Sequence, residues 1–499
     1  AARGLAVYVS AFGLEAKRKG VVIAHDSRRF SPQFAREAAL TLAAAGVRAY
    51  LWESLRPTPM LSYAVRELGA TAGIVVTASH NPPEYNGFKV YWSDGGQVPP
   101  ERAAAIKAEM AAAEIPEIPL AGEREARAAG LLLPVPPEID RTYLDRLLEL
   151  VGGPDERRQA CRVLYSPLHG SGHWPVRKVL NEARFAVTMV AEQVEPDPDF
   201  RTVKAPNPED PAVFALALRQ AEHLQPDIIM ATDPDADRLG IMARDGAGAY
   251  RLLTGNQIGA LLVDFLLSRG NLPPNGAVLK SIATNNMAAP ICRHYGVKLI
   301  ETHTGFKFIG DKIREWEETG EQTFLFGYEE SYGYLAGAFV RDKDAVMSAL
   351  LAAEAAAWHK RQGRTLVEAL EDLWQRFGYY RESLHSVTLP GKDGLVQMAA
   401  LMRRLREHPP AAFGSVPVAF TDDYLTGVSR ELASGVEQPL LLGKADVLHY
   451  RFAGGGFVMV RPSGTEPKLK LYVNVTGKTA AEADRCLAEV EAAARALIS

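Results

Sequence analysis

The chain alternates between short apolar runs and longer amphipathic segments over most of its length. Apolar runs at 21–24, 47–52 and 72–77 have the length of buried strands. Between the first two, Ser31-Pro32 has the pattern of a helix N-cap followed by proline at the first helical position, and Gly46 ends the helix. Such alternation is typical of layered α/β proteins with mostly parallel sheets.

The same alternation restarts twice after a proline-rich break at 134–137. Thr254 has the position of an N-cap for the helix that begins the third unit. Further strands are predicted at 88–92, 162–165, 187–191, 228–231, 278–281, 298–301 and 323–326, and further helices near 58–69, 140–150, 343–361 and 366–377. We therefore expect three α/β units in series.

The pattern changes in the last quarter of the chain, where strand-like segments are grouped between two helices. Thr479 and Glu482 have the spacing of a capping box, which predicts the start of the final helix. One other helix and three strands are predicted, at 395–407, 447–452, 457–461 and 468–475. This grouping indicates a smaller α+β domain.

Composition narrows the class of protein. The 499 residues are 47% hydrophobic and 23% charged, which excludes disorder, collagen and coiled coil as the main architecture. The net charge of −4 gives no field that would favour nucleic acid or an anionic membrane, and no apolar run is long enough to span a bilayer. Cys161, Cys292 and Cys486 are too widely spaced for a thiolate zinc motif, so a reducing cytoplasm is expected. Oligomeric state is not indicated.

Four polar loops follow predicted strands and carry candidate chemistry. The first spans 77–91, where Ser79 is next to His80 and ten residues before Lys89. A serine at the end of a strand with such neighbours is a candidate nucleophile with partners for proton transfer. The alternative is a serine that hydrogen-bonds its own turn.

The second loop places Asp233, Asp235 and Asp237 directly after an apolar strand. Three carboxylates so close repel one another unless a cation neutralises them, and alternate residues of an extended loop can converge on one hard divalent ion. The loop is not an EF-hand, because Arg238 and Arg244 occupy the positions that need Gly and Glu. The alternative is a solvated acidic turn.

The third and fourth loops are weaker signals by themselves. Residues 327–334 combine two carboxylates, a hydroxyl and three tyrosines, which suits sugar hydroxyls but equally suits a polar strand end. Residues 461–468 combine an arginine, two hydroxyls and a glycine, which suits a phosphate site. The alternative there is a plain tight turn.

Taken together, in this order and roughly evenly spaced, the four loops resemble the α-D-phosphohexomutase superfamily, which includes phosphoglucomutases and phosphomannomutases. Residues 77–91 resemble its phosphoserine loop, 233–238 its metal loop, 329–331 its sugar-specificity loop and 461–465 its phosphate loop. The resemblance spans nearly the whole chain. It implies an α/β fold of three related mixed units and a smaller C-terminal α+β domain around one central cleft, divided at 1–140, 141–250, 251–378 and 379–499.

The resemblance also implies roles for individual residues. Ser79 carries phosphate, and Asp233, Asp235 and Asp237 bind Mg²⁺ together with a phosphoserine oxygen. Arg238 supports the phosphoserine, and Lys89 or Lys307 is the general base. The implied substrate-binding residues are Glu329 and Ser331 for the sugar hydroxyls, Arg461, Ser463, Gly464 and Thr465 for the non-reacting phosphate, and Lys343 near the same cleft.

The N-terminus departs from the family pattern. Members usually begin with a Gly- and Arg-containing segment before the first helix, and its Arg reaches the active site. The resemblance implies that this sequence begins at the first helix itself. We therefore expect the segment with the Arg to be needed for full activity.

The activity that the resemblance implies is interconversion of glucose 1-phosphate and glucose 6-phosphate, with a glucose 1,6-bisphosphate intermediate. Loop 329–333 together with Thr304–Lys307 is more similar to phosphoglucomutases than to phosphomannomutases, and it also resembles a branch with phosphopentomutases. Mannose and ribose phosphates therefore stay open as substrates. Two other classes are an aspartyl-phosphate phosphatase, with Asp233 as the nucleophile, and a non-catalytic sugar-phosphate binder.

Overall fold

A computed structural model describes residues 1–114, 117–388, 394–462 and 468–498. The chain forms two compact units. The first, here called the large unit, comprises Ala1–Lys280, Val297–Ile300 and Gly305–Ala369, and the second, the small unit, comprises Ser281–Gly296, Glu301–Thr304 and Leu370–Ser499. The four-part division expected from the sequence stays a prediction.

The first sheet carries a fully buried pair of parallel strands at its centre. Its strands are β1 (Val21–His25), β2 (Ala49–Leu51), β3 (Ala72–Val76), β4 (Phe88–Trp92) and β5 (Leu132–Pro134), in the order β4-β3-β1-β2-β5. All pairs are parallel except β3 with β4. Every residue of β1 and β3 is buried, which explains why both appear in the sequence as continuous apolar runs.

The helices that pack near this sheet are α1 (Ala2–Ser10), α2 (Gly13–Lys19), α3 (Ser31–Ala44), α4 (Thr58–Glu67), α5 (Pro100–Ala111) and α6 (Glu123–Ala128). The predicted N-cap of α3 is wrong by one residue, because Phe30 occupies that position with φ +63°. Ser31 is instead the first helical residue, and its hydroxyl donates to Asp26 Oδ1 at 2.8 Å. The Ser31 hydroxyl thus bonds to the Asp26 carboxylate, and not to the backbone N–H groups of the first helical turn as an N-cap side chain would.

The second sheet combines parallel and antiparallel pairs. It contains β6 (Arg162–Ser166), β7 (Ala186–Met189), β8 (Ile228–Thr232), β9 (Leu239–Arg244) and β10 (Tyr250–Leu253), in the order β10-β9-β8-β6-β7. Its helices are α7 (Glu138–Leu150), α8 (His173–Glu182), α9 (Ala191–Val194) and α10 (Ala215–Leu224), with 3₁₀ turns at Glu156–Ala160 and Pro211–Phe214. The central strand β8 is buried throughout and runs parallel to β6.

The third sheet contains β11 (Gly276–Ser281), β12 (Lys298–Thr302), β13 (Thr323–Glu329) and β14 (Gly333–Ala336), in the order β12-β11-β13-β14. Helices in this region are α11 (Gly255–Ser268), α12 (Ala288–His294), α13 (Phe306–Thr319), α14 (Ala345–Arg361) and α15 (Leu366–Phe377). The predicted cap of α11 is confirmed, because Thr254 and Gln257 exchange the two hydrogen bonds of a capping box.

The fourth sheet is antiparallel and belongs to the small unit. Its strands are β15 (Tyr379–Thr388), β16 (Ala412–Phe413), β17 (Val416–Asp423), β18 (Val428–Glu431), β19 (Glu437–Pro439), β20 (Leu448–Phe452), β21 (Phe457–Pro462) and β22 (Lys468–Gly477). Helices α16 (Gly394–Glu407) and α17 (Ala480–Ile498) bury apolar side chains in its core. Of these strands only β20 to β22 were predicted from the sequence.

The overall class expected from the sequence is confirmed: three mixed α/β sheets and a separate antiparallel C-terminal sheet. Among the described residues, no helix combines the length and apolar character that a membrane crossing requires.

Candidate active site

Ser79 lies in the loop between β3 and β4, two positions beyond the residue that follows the buried strand. Its backbone has φ +52°, a left-handed conformation that is uncommon for a residue other than glycine. Its hydroxyl donates to Asp233 Oδ2 at 2.6 Å and lies 3.3 Å from His80 Nδ1. The structure therefore joins the first two predicted loops through this serine.

The three aspartates that follow β8 are buried and face one another. One carboxylate oxygen from each of Asp233, Asp235 and Asp237 lies within 4.8 Å of the other two. Asp233 Oδ1 accepts the backbone N–H groups of Asp237 and Arg238, both at 3.0 Å, so the loop curls around the first carboxylate. Burial and then the charges of Asp235 and Asp237 raise the pKa of Asp233 well above its usual range.

Two oxygens of this aspartate cluster have no hydrogen-bond partner among the described residues. They are Asp235 Oδ1 and Asp237 Oδ1, and both are buried. A buried acceptor without a partner destabilises the folded protein by about 1–3 kcal/mol. Hard carboxylate oxygens in this arrangement are the donor set that a divalent cation such as Mg²⁺ prefers. The residues present therefore fit a hard metal ion.

Two lysines from other loops reach the aspartate cluster. Lys89 Nζ on β4 lies 2.7 Å from Asp235 Oδ2 and 3.3 Å from Asp237 Oδ2. Lys343 Nζ, just before α14, lies 3.2 Å from Asp237 Oδ2 and 3.1 Å from Asp342 Oδ1. Burial opposes their charge, but the neighbouring carboxylates outweigh it and raise the pKa of both lysines.

The pKa of Asp237 moves the other way from that of Asp233. Burial would raise it, but the charges of Lys343, Lys89 and Arg238 outweigh burial and hold the pKa well below its usual range. The aspartate cluster is thus electrostatically uneven: cations lie beside Asp237, while Asp233 faces Ser79.

Arg238 has a carboxylate partner that the sequence did not indicate. Its Nη1 lies 2.5 Å from Glu209 Oε1, and its Nε lies 3.9 Å from Asp237 Oδ1. Burial would lower its pKa, but the charges of these carboxylates raise it, so the guanidinium stays charged. Support of a phosphoserine by Arg238 stays a prediction.

The third predicted loop lies at the end of β13. Glu329 is buried there and accepts the backbone N–H of Gly305 at 2.7 Å. Burial and the charge of Glu330 raise its pKa to about 7. Lys307 is in the first turn of α13, two residues after Gly305, and Ser331 is in the turn before β14. The Gly305–Glu329 bond therefore links loop 327–334 to the start of the helix that carries Lys307.

The fourth predicted loop belongs to the small unit. Arg461 is on β21, opposite Lys470 of β22. Ser463, Gly464 and Thr465 lie outside the described residues. Their contact with a phosphate group stays a prediction.

Sequence reasoning missed several polar residues of this site. Thr58 at the start of α4 donates through Oγ1 to Asp235 Oδ2 at 3.0 Å, and the Tyr91 hydroxyl donates to Asp342 Oδ2 at 2.7 Å. Asp26 and Arg28, which follow β1, contact the Ser79 loop. The sequence showed only that polar residues follow the apolar run of β1, as they follow that of β3. The parallel pairing of β1 with β3, which brings these two strand ends to one sheet edge, comes from the structure.

Three mixed sheets, a separate antiparallel sheet and a serine beside three carboxylates define the architecture of a phosphohexomutase. Profiles described as phosphoglucomutase/phosphomannomutase match domain I at residues 1–116, domain II at 141–246, domain III at 254–377 and the C-terminal domain at 422–493. The chain belongs to the phosphoglucomutase/phosphomannomutase family, whose members are isomerases of the phosphohexomutase class.

Individual relatives agree with this assignment. A phosphoglucomutase from Staphylococcus epidermidis is 38% identical over 457 residues, which cover 91% of this chain and 83% of that protein. Parafusin, a phosphoglucomutase from Paramecium solved in an open form, is 17% identical with a TM-score of 0.73, over 99% of this chain and 91% of that one. An N-acetylphosphoglucosamine mutase from Aspergillus fumigatus, in complex with GlcNAc-6P and magnesium, is 14% identical with a TM-score of 0.52 over the full length of both chains.

The raised pKa of Glu329 predicts how stability depends on pH. The folded state binds its proton more tightly than the unfolded state, whose glutamate has the ordinary value of 4.5. Stability is therefore lost as pH rises from about 4.5 to about 7 and is level above that. The side chain in Glu329→Gln does not titrate. Between these pH values the free energy of unfolding of the variant should therefore rise by about 3 kcal/mol relative to that of the wild type.

Chemical denaturation at several pH values between 5 and 8 measures this difference. The exposed carboxylate of Glu321 offers a matched control, since Glu321→Gln should follow the wild type at every pH. A constant difference between Glu329→Gln and the wild type across the range would contradict the raised pKa.

Proposed function

We propose that this chain interconverts glucose 1-phosphate and glucose 6-phosphate through a phosphoserine at Ser79 and a glucose 1,6-bisphosphate intermediate. The observation that carries the proposal is the 2.6 Å bond between Ser79 Oγ and Asp233, which places the hydroxyl against three buried carboxylates. Relatives named phosphoglucomutase, matched over most of their length, support the same reaction.

Mg²⁺ is the cofactor we propose for Asp233, Asp235 and Asp237. The orphaned oxygens of Asp235 and Asp237 support it, as does the magnesium of the fungal mutase with the same fold. When bound, such an ion would neutralise charge on the equatorial oxygens of the transferring phosphoryl group. A phosphoserine oxygen would complete the protein's share of the ligands.

In the proposed reaction Ser79 Oγ is alternately leaving group and nucleophile. A sugar hydroxyl attacks the phosphorus, the bond from phosphorus to Ser79 Oγ breaks, and a base takes the hydroxyl proton. The bisphosphate then reorients. Ser79 Oγ, which took up a proton on leaving, gives up that proton and attacks the other phosphorus, the bond from that phosphorus to the sugar oxygen breaks, and the base returns its proton to that oxygen. Arg238, which is held charged beside the aspartate cluster, supports the phosphoserine, and His80 is a further partner for proton transfer.

Lys307 is the better candidate for the general base. Lys89 is ion-paired with Asp235 and Asp237, so it serves to hold those carboxylates. Lys307 is in the first turn of α13, and Gly305, the residue before that helix, donates its N–H to Glu329, which is the residue proposed to bind the sugar. A base must be within hydrogen-bond reach of the proton that it takes.

The proposal assigns substrate recognition to residues of the third and fourth predicted loops. Glu329 and Ser331 hold the sugar hydroxyls in both orientations, with Lys343 beside them. Arg461, with Ser463, Gly464 and Thr465 beyond the described residues, holds the phosphate that does not react. The sugar phosphate is the proposed small-molecule partner, as in the fungal mutase complex. We also propose a cytoplasmic location; the wide spacing of Cys161, Cys292 and Cys486, which are free thiols, supports a reducing compartment.

Two kinds of alternative remain beside this proposal. Phosphomannomutase and phosphopentomutase activities would use the same residues with another sugar. A phosphatase with Asp233 as the nucleophile is less favoured, because it gives no role to Ser79, whose hydroxyl donates to Asp233 Oδ2 at 2.6 Å.

Ser79→Ala should abolish interconversion, because no neighbouring group can carry phosphate in the same geometry. Activity should fall below about 1% of the wild type, since loss of a nucleophile costs orders of magnitude. Intact-mass spectrometry should show one phosphoryl group on the wild-type protein and none on the variant. Ser268→Ala, which removes a hydroxyl bonded to the backbone of α11, is the control and should keep both the phosphate and the activity. A phosphorylated Ser79→Ala protein would contradict the assignment.

Glucose 1-phosphate should be the best substrate among the 1-phosphates of glucose, mannose, glucosamine and ribose. The reason is the pairing of Glu329 and Ser331 in a tyrosine-rich loop, which is more similar to phosphoglucomutases. Comparing kcat/KM for the four compounds on one preparation measures the preference. An equal or higher value for ribose 1-phosphate would assign the chain to the pentomutase branch, and for mannose 1-phosphate to the phosphomannomutases.

Asp235→Asn should weaken Mg²⁺ binding and turnover together. The amide keeps the shape but removes one anionic ligand, so affinity measured by titration calorimetry should fall by at least about tenfold. Asp145→Asn, which changes an exposed carboxylate on α7, is the control and should bind Mg²⁺ like the wild type. Full turnover of the wild type in excess chelator would count against the metal.

A further inference from the structure

Arg28 is a buried arginine that grips the Ser79 loop by its backbone. It is 1% exposed and follows β1. Its Nη2 donates to the carbonyl oxygens of Ser79 at 2.6 Å and Asn81 at 2.5 Å, and its Nη1 donates to those of Pro82 at 2.8 Å and Tyr85 at 3.0 Å. Four carbonyl groups of one loop thus converge on one guanidinium. A planar fork of fixed donors suits this task better than a flexible ammonium group.

Asp26 supplies the counter-charge. Its Oδ2 lies 3.1 Å from Arg28 Nε, and both side chains are fully buried. The same carboxylate accepts Thr77 Oγ1 at 2.6 Å, Ser31 Oγ at 2.8 Å and the backbone N–H of Arg28 at 2.9 Å. Burying two charges costs several kcal/mol per ion, and the hydrogen bonds that both side chains make offset that cost. The ion pair is therefore stable only while these hydrogen-bond partners keep their positions.

Thr77 connects this ion pair to the reactive serine. Its Oγ1 donates to Asp26 and accepts the backbone N–H of Ser79 at 2.8 Å. Ser79 is left-handed, with φ +52°, and such a conformation costs a residue with a Cβ about 1–2 kcal/mol. Contacts from outside the loop must hold it there. Arg28 and Thr77 bind Ser79 on both sides of its Cα, at the carbonyl and at the N–H.

We propose that Asp26 and Arg28 are positioning residues for phosphoryl transfer: they hold the Ser79 loop in the strained conformation that directs Ser79 Oγ at Asp233. The inference rests on the proposed role of Ser79 as the phosphate carrier. Neither residue needs to touch the sugar, because the donors of Arg28 are directed at protein carbonyls.

A second buried arginine provides the comparison that separates positioning from stability. Arg158 is 2% exposed, forms an ion pair with buried Glu354, and donates to the carbonyl oxygens of Val151 at 2.6 Å and Gly153 at 2.5 Å. It resembles Arg28 in burial and bonding but holds a different loop. Arg158→Lys is therefore a matched control for Arg28→Lys.

The experiment measures steady-state kinetics, thermal melting and amide hydrogen exchange on the wild type and both variants. Both lysine variants should melt at a lower temperature. Only Arg28→Lys should lower kcat, by about 100-fold, as expected for a small displacement of a reacting group. Its KM should stay close to the wild-type value. Exchange in peptides covering residues 78–87 should be faster in Arg28→Lys and unchanged in Arg158→Lys.

A pair of substitutions at Thr77 keeps the proposal testable if Arg28→Lys does not fold. Thr77→Val keeps the shape but breaks the link from Asp26 to Ser79, so it should lower kcat and speed exchange of the loop. Thr77→Ser restores the hydroxyl and should recover both. Recovery by the conservative variant is a result that loss of packing alone would not produce.

Two results would overturn the inference. One is a kcat for Arg28→Lys that falls no further than that of Arg158→Lys, and the other is unchanged exchange in residues 78–87. If the wild type interconverts no sugar phosphate, the proposed function fails, while the exchange measurements still decide whether Arg28 holds the loop.

Discussion

Three carboxylates buried together at the end of one strand are the constraint on which the large unit depends. Charges of one sign repel strongly where water is excluded, so Asp233, Asp235 and Asp237 need partners from elsewhere in the chain. Lys89 reaches them from the first sheet and Lys343 from the segment that follows the third. The acidic loop of the second sheet is thus where three sheets are joined.

The positive charge around the three aspartates does not balance theirs, and it lies mainly on one side of the cluster. The two lysines lie on the side of Asp237, whose pKa is lowered, while Asp233 has a raised pKa and touches the serine hydroxyl. A phosphoryl group on Ser79 would add negative charge on the side with less compensation. Neutralisation of charge is what phosphoryl transfer most requires of a protein. The proposed cation would therefore supply positive charge on the side of Asp233 and Ser79, where the protein itself supplies less.

Much of the large unit could be predicted from the sequence, because its central strands are buried on both faces. β1, β3 and β8 are continuous apolar runs that end in polar residues, and those ends carry the site. The strands missed in the small unit are different. No residue of β15 is fully buried, and its second half alternates between exposed and half-buried positions. β19 is exposed throughout, so neither strand has an apolar run to mark it.

Within the site, residue types were predictable but partners were not. Lys89 and Asp235 are separated by 146 positions, and Arg238 and Glu209 by 29, so no local pattern relates them. Asp26 and Arg28 illustrate the same limit. They reach the Ser79 loop because β1 pairs in parallel with β3, which brings the two strand ends together. Sequence spacing cannot show which loops share an edge until the strand order is known.

One further contact links the residue proposed to bind the sugar to the helix that carries the proposed general base. Glu329 is held by the backbone N–H of Gly305, and Gly305 is the residue before α13, which carries Lys307 in its first turn. Gly305 has φ +117°, a conformation that side chains with a Cβ rarely adopt. Gly305 therefore holds the carboxylate that we propose to bind the sugar, and it also precedes the helix that carries the proposed base. If Glu329 binds the sugar and Lys307 is the base, both depend on this one glycine, so a change of sugar preference must preserve the Gly305–Glu329 bond or move the base along with the sugar.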